Sequence, residues 1–241
     1  MDFSLDLMIS SLPHLLDGAV LTAELVTLSV IIGFFIAVPV GVLRSIGGPW
    51  WIQALPWSYI FFFRGTPLLI QIFLIYYGLS QFEAVRDSLL WSLLRDSYWC
   101  ALIAFTLNTA AYSAEILRGS IVAVPAGEVE AAHAVGMTRR QVIWRIVLPR
   151  ACRMCLPAYG NEIIFLIKGS ALASAITLAE LTGSANIIIA RTYKPLEVLL
   201  AAGLIYLVMI YGLTLALKMV ERYLSITPPR LPIRAEDTGP V

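Results

Sequence analysis

From Ala19 to Leu43 the chain reads AVLTAELVTLSVIIGFFIAVPVGVL. A helix that crosses a bilayer core needs roughly 20 predominantly apolar residues, and this run exceeds that length. Unpaired backbone is too costly in hydrocarbon, and the run is too long for a barrel strand, so it is expected to be helical. Four more runs of the same kind follow, from about Tyr59 to Leu79, Trp99 to Leu117, Leu156 to Leu178 and Leu196 to Val220. The expected fold class is all-α, a polytopic membrane helical bundle of about five transmembrane helices. Composition agrees. Of 241 residues, 59% are hydrophobic and 14% charged, against about 45–50% and 25% in soluble domains.

Lys and Arg set the orientation of such a bundle. One side carries Arg86, Arg95, Arg191 and Lys194. The other carries Arg44, Arg118, Arg139, Arg140, Arg145, Arg150, Arg153, Lys218, Arg222, Arg230 and Arg234. The richer side is expected to be cytoplasmic, which puts the N-terminus outside and the C-terminus inside. Trp50, Trp51, Trp57, Trp91 and Trp99 fall near the expected interfaces, as an aromatic belt does. No Lys or Arg precedes Arg44, so no cleaved signal peptide is expected. Residues 1–18 read instead as an outer interfacial segment with Leu5, Met8, Ile9 and Leu12 on one face. Residues 19–224 form the membrane domain, and 225–241, with four prolines, a flexible cytoplasmic tail.

Within the first run, Ser29, Gly33, Ala37 and Gly41 recur every four residues. Small-xxx-small faces let helices approach closely, either inside one subunit or against a partner. Cys100, Cys152 and Cys155 supply neither a disulfide framework nor a zinc set. No internal repeat marks the inverted halves of an ion-driven secondary transporter, and no nucleophile–base cluster marks an enzyme.

The cytoplasmic segment from residue 120 to 150 is not linker-like. Val124-Pro125-Ala126-Gly127 signals a turn. Glu128 to Val135 is rich in helix formers. Gly136 is a plausible stop, and Thr138 can cap a second helix from Arg139 to Val147. Pro149 then blocks simple continuation. Val142, Ile143, Ile146 and Val147 recur at helical spacing, so one face calls for a cover. Two short helices meeting at a glycine can cap their own bundle or be gripped by a soluble partner.

Glu130-Ala131-Ala132, three residues, Gly136, nine residues, then Ile146-x-Leu148-Pro149 resembles the EAA loop of bacterial ATP-binding cassette permeases. Arg64-Gly65-Thr66-Pro67-Leu68, residues 111–119 and Pro157 to Glu162 resemble the polar amino acid importers of that family, nearest to permeases for histidine, for lysine, arginine and ornithine, and for octopine and nopaline. The resemblance implies a non-enzymatic permease subunit in a bacterial inner membrane. It implies a separate ATPase, in two copies, that binds ATP and Mg and grips the coupling helix of the loop. It also implies a second, related permease, giving a heterodimer, and a periplasmic solute-binding protein that delivers an amino acid or opine. No cofactor is expected in this chain. Membrane lipid is an expected contact and nucleic acid is not. Independently of the family, a Walker A loop is absent. Lys168-Gly169-Ser170 lacks the preceding glycine loop, so the energy must come from a partner or an ion gradient.

Coupling to the ATPase is expected at Glu130, Ala131, Ala132, Gly136, Ile146, Leu148 and Pro149. Glu130 also suits the N-terminal dipole end of the first short helix, worth about 0.3–1 kcal/mol. A charge at mid-membrane costs about 2.5–3.5 kcal/mol or more and faces a cavity or a partner. Glu162 and Lys168 in the fourth run are therefore expected either to touch a zwitterion with a basic side chain or to hold two permeases together. Asn161, Thr66 and Asn108 add polar lining. Glu115 and Arg118, three apart, are expected to pair along their own helix.

Overall fold

The computed structural model describes residues 4–224. Every regular element among them is helical. The first helix, α1, runs unbroken over Leu5–Ile46. Ser4 caps it by accepting from the Leu7 N–H at 3.3 Å. From Leu5 onward, then, the segment expected at 1–18 is continuous with the first span. Its packing face is Ser11, Leu15 and Gly18, all buried, whereas Leu5 and Ile9 stay exposed. Residues 1–3 lie outside the described residues, as does the whole tail from 225 to 241.

α1 is followed by α2 (Trp50–Gly65) and α3 (Leu68–Phe73), which winds on through a π turn and a 3₁₀ turn to Gln81. The expected straight helix from Tyr59 to Leu79 is instead broken. α2 and the helical run from Leu68 to Gln81 meet at 109°. The cause is Pro67. It has no N–H to offer the Phe63 carbonyl, and its ring drives the preceding residue out of the α region. Thr66 is accordingly extended, at φ −114° and ψ 147°.

Two short helices, α4 (Glu83–Arg86) and α5 (Trp91–Leu94), lead to α6 (Ser97–Val122). α6 is the central helix, with Phe105, Ala101, Ala104, Ala110, Ala111 and Ala114 fully buried. It packs along α1. The small-residue stripe of α1 lies in this seam, with Ser29, Gly33, Ala37 and Gly41 buried. A Cβ added to Gly33 would sit 2.9 Å from Thr109 Cγ2, and one added to Gly41 would sit 2.6 Å from the Ala114 carbonyl oxygen. The stripe therefore serves packing within this subunit.

After α6 come α7 (Ala126–Ala134) and α8 (Arg139–Val142). Thr138 caps α8 in a reciprocal box with Gln141, whose Oε1 accepts from the Thr138 N–H at 2.8 Å. Pro149 does not end this helix. The chain passes through a π turn, Ile143–Val147, straight into α9 (Leu148–Gly169). The wider turn absorbs the proline ring and its missing donor. α9 gives way to a 3₁₀ turn, Ser170–Ile176, and then Thr177 takes a left-handed conformation at φ 67°. Between the expected fourth and fifth runs the chain is largely helix, α10 (Leu181–Thr192), set at 47° to the preceding rod. Glu180 starts it, accepting from the Thr182 and Gly183 N–H groups at 2.9 Å each. The last helix is α11 (Pro195–Leu224).

By length and apolar character, α1, α6 and α11 each suffice to cross a membrane, and the count reaches five if each bent pair is one span. One apolar core lies where α1, α3, α6 and α9 meet, around Leu25, Ile72, Phe105 and Leu166. A second holds the N-terminal end of α1, where Leu15 meets Leu181 and Val198.

Candidate functional site

The break at Pro67 builds a polar site inside an apolar bundle. Gln71, 1% exposed, turns back onto the break. Its Nε2 donates to the Phe63 carbonyl at 2.9 Å, to the Thr66 carbonyl at 3.0 Å and to Thr66 Oγ1 at 2.9 Å. Asn108 of α6 donates from Nδ2 to the same Phe63 carbonyl at 3.3 Å and to Gln71 Oε1 at 2.9 Å. A backbone oxygen stripped of its helical partner is thus satisfied by two amides, as a non-aqueous surrounding demands.

On the far side of this network is a cavity of about 380 Å³, lined by Thr66, Pro67, Leu68, Asn108, Tyr112, Glu162, Phe165 and Leu166. Three of the five residues expected along a cargo path, Glu162, Asn108 and Thr66, meet here. Glu162 is 9% exposed and Asn108 8%. Lys168 and Asn161 do not line it. Six residues of α-helix leave two side chains about 120° apart, so Lys168 faces outward from α9, exposed, with Nζ 5.9 Å from the centre of the Phe165 ring. Asn161 is exposed as well.

Toward the Arg44 end of α1, a second cavity shares Tyr112 and carries Arg44, Arg64 and Glu115. Arg64 holds its guanidinium 5.3 Å from the centre of the Tyr112 ring. Glu115 and Arg118 pair along α6, through Nε at 2.8 Å and through a second, shorter contact. Gln71 and Tyr112 escaped the sequence reading, although a glutamine within an apolar run is itself a signal. Glu180 escaped it too. Fully buried, it accepts from Tyr206 at 3.0 Å and from Thr22 at 3.4 Å, joining α10 to α11 and α1.

The second candidate surface is the elbow of α7 and α8. Gly136 has φ +80° and links the two helices. Its N–H donates to the His133 carbonyl at 2.9 Å, and that of Met137 to the Ala132 carbonyl at 3.1 Å. α7 begins at Ala126 behind Pro125, so Glu130 stands a full turn inside it. The first-turn carboxylate is Glu128, ion-paired with Arg150 at 3.3 Å. Glu130, Ala131, Gly136 and Pro149 are exposed, Ile146 and Leu148 half-buried, and Ala132 buried. Val142, 3% exposed, is covered by the chain itself; with Val42, Ile46 and Ile121 at the ends of α1 and α6 it lines a small cleft. Val135 and Trp144 are left bare, 78% and 65% exposed.

The profile of the family described as "Binding-protein-dependent transport system inner membrane component" matches residues 29–226. The chain belongs to that family. Among its relatives, the permease is 51% identical to the octopine transport system permease protein OccM of Rhizobium meliloti over 195 residues, 81% of this chain and 79% of that one. It is 43% identical to the nopaline transport system permease protein NocM of Agrobacterium fabrum, over 98% of this chain and 97% of that one. A solved amino acid ABC transporter, described with histidines, superposes with a TM-score of 0.83 at 34% identity, covering 92% of this permease and all of that chain. Broken spans are also a mark of ion-driven carriers, so the bend at Pro67 does not discriminate. Family membership does, and the permease is an integral, non-catalytic component of an ABC import system.

Proposed function

We propose that this permease carries basic amino acids or their opine derivatives across a bacterial inner membrane, and that the Glu162 cavity receives the cationic group of the cargo. The convergence of Glu162, Asn108 and Thr66 on one buried cavity carries this reading. A carboxyl group inside an apolar bundle is retained at a cost that a cationic ligand offsets. Octopine and nopaline, named for two relatives, both bear a guanidinium.

In this reading the elbow within residues 120–150 is the docking point of a separate ATPase, present in two copies, which binds the ATP and Mg. Glu130, Ala131, Gly136 and Pro149 offer it an exposed surface, and Val135 and Trp144 offer it apolar area. A second, related permease covers the face of α9 that bears Asn161 and Lys168, because an exposed lysine within a membrane span cannot face lipid cheaply. A periplasmic binding protein delivers the cargo. The N-terminus lies outside. Residues 19–224 form the membrane domain and 225–241 a cytoplasmic tail.

The test is uptake of radiolabelled arginine and octopine into proteoliposomes holding the assembled transporter and its binding protein. ATP-dependent uptake that Glu162→Gln reduces at least about tenfold, the scale of one lost charged partner, is expected. Uptake that needs an ion gradient and no ATPase would overturn the proposal.

A further inference from the structure

The hydrogen bonds at the broken span have a direction. Both hydrogens of the Asn108 amide point away from the cavity, one to the Phe63 carbonyl and one to Gln71 Oε1. The hydrogens of the Gln71 amide go to the Phe63 and Thr66 oxygens. The Thr66 hydroxyl donates to the Phe62 carbonyl at 2.8 Å. Main-chain carbonyls only accept, so they set the orientation of both amides. The donors of these three side chains are thus consumed by main-chain carbonyls around the break and by one another.

What remains for the cavity is acceptors. Asn108 Oδ1 has no donor among the described residues, and Asn108 lines the cavity. Glu162 brings its carboxyl oxygens, and Thr66 Oγ1 keeps a free lone pair. Tyr112, whose hydroxyl can act either way, completes the polar lining. A site built to accept rejects a ligand that presents an acceptor in the same place far more strongly than it rejects a change of size.

We infer that Gln71 is a positioning residue for cargo selectivity. By holding the Asn108 amide with its hydrogens on the broken helix, it makes the cavity acceptor-faced, and so selective for donor-rich cationic groups, guanidinium or ammonium, over neutral groups of the same shape that carry a carbonyl. This rests on the reading of the Glu162 cavity as the cargo site. Gln71 lines no part of that cavity; it orients Asn108, and its contacts with Thr66 use only donors that face the broken helix.

Arginine and citrulline test it, because citrulline keeps the shape of arginine and replaces one guanidinium nitrogen by oxygen. Binding of each, radiolabelled, is measured at equilibrium on the assembled permease–ATPase complex without binding protein, so that the permease alone discriminates. The wild-type complex is expected to prefer arginine at least about tenfold, and Gln71→Met to lower arginine affinity about tenfold while moving citrulline less than about twofold. Asn108→Ala should do the same, and Gln71→Met should add nothing in the Asn108→Ala background, since non-additivity marks residues that act as a unit. A purely structural glutamine would weaken both ligands alike and would keep its effect in that background.

If Gln71→Met does not assemble, Gln71→Asn gives the same readout. It keeps an amide for the freed carbonyls but is one methylene short of Asn108. An arginine-to-citrulline ratio unchanged by Gln71→Met or Gln71→Asn, in a complex whose arginine binding does respond to Glu162→Gln, overturns the role of Gln71 alone. Absence of arginine binding to the wild-type complex, or arginine binding indifferent to Glu162→Gln, overturns the cargo reading of the cavity itself.

Discussion

Arg150 Nη2 lies 3.3 Å from Glu128 Oε1, tying the first turn of α7 to the first turn of α9. Both side chains are 38% exposed, so the pair contributes no more than about 1 kcal/mol to stability. Its consequence is geometric, because it bridges α7 and the rod that runs from α8 into α9. Glu128→Gln is expected to shift the thermal midpoint of the purified complex by only a few degrees, while transported cargo per ATP hydrolysed falls. Equal ratios in mutant and wild-type proteoliposomes would show that coupling does not need this tie.

Gly136 separates backbone strain from crowding. A Cβ at this position meets nothing within 4 Å, so any cost of substitution comes from φ +80°. Gly136→Val should therefore strain the elbow by about 1–3 kcal/mol and uncouple ATP hydrolysis from uptake with membrane insertion intact. Gly136→Asn, which tolerates the left-handed region, should keep most uptake. The two variants need be compared only for uptake and ATPase rate in the same liposomes.

Along the α1–α6 seam, the two glycines should differ. At Gly41 the obstacle to a methyl group is the Ala114 main-chain oxygen, and at Gly33 it is the Thr109 side-chain methyl. A side chain yields more readily than backbone. Gly41→Ala is expected to lower the melting temperature of the detergent-solubilised protein more than Gly33→Ala, within the 1–3 kcal/mol usual for overpacking. Differential scanning fluorimetry on both settles the order.

Glu180→Ala should be the most damaging single change where α10 meets α1 and α11. It strips the cap from α10 and leaves Thr182 N, Gly183 N and the Tyr206 hydroxyl without their acceptor. Loss of a cap alone costs about 0.5–2 kcal/mol, and the orphaned buried donors add to it. Glu180→Gln, which keeps one acceptor oxygen, should recover part of the loss in the same thermal assay.

The sequence made much of this plain and concealed the rest for identifiable reasons. Run length and hydropathy were enough for an all-helical bundle, and the glycine at 136 and the Thr138 cap were readable one residue at a time. Glu162, Asn108 and Thr66 stand out in the sequence because polar residues inside apolar runs are expensive wherever they stand. Lys168 satisfied the same criterion and lies elsewhere, since the cost of a charge says nothing about which way it faces. Gly65-Thr66-Pro67 announced a break, but the apolar run continued across it and hydropathy has no term for direction. α10 lies between two of the expected spans, and the contacts of its Glu180 cap with α1 and α11 are ones that only the fold supplies.

The rod from Arg139 to Gly169 has one further consequence. It bears the elbow at one end and Glu162 about 35 Å along it at about 1.5 Å per residue, with a π turn but no loop between them. If the cavity holds the cargo and the elbow the ATPase, as proposed above, a tilt imposed at the elbow changes the affinity of the cavity, and thermodynamic linkage makes that influence mutual. On that reading an occupied cavity alters, by the same factor, how tightly the elbow is held. The cargo is then an effector of the machine that moves it.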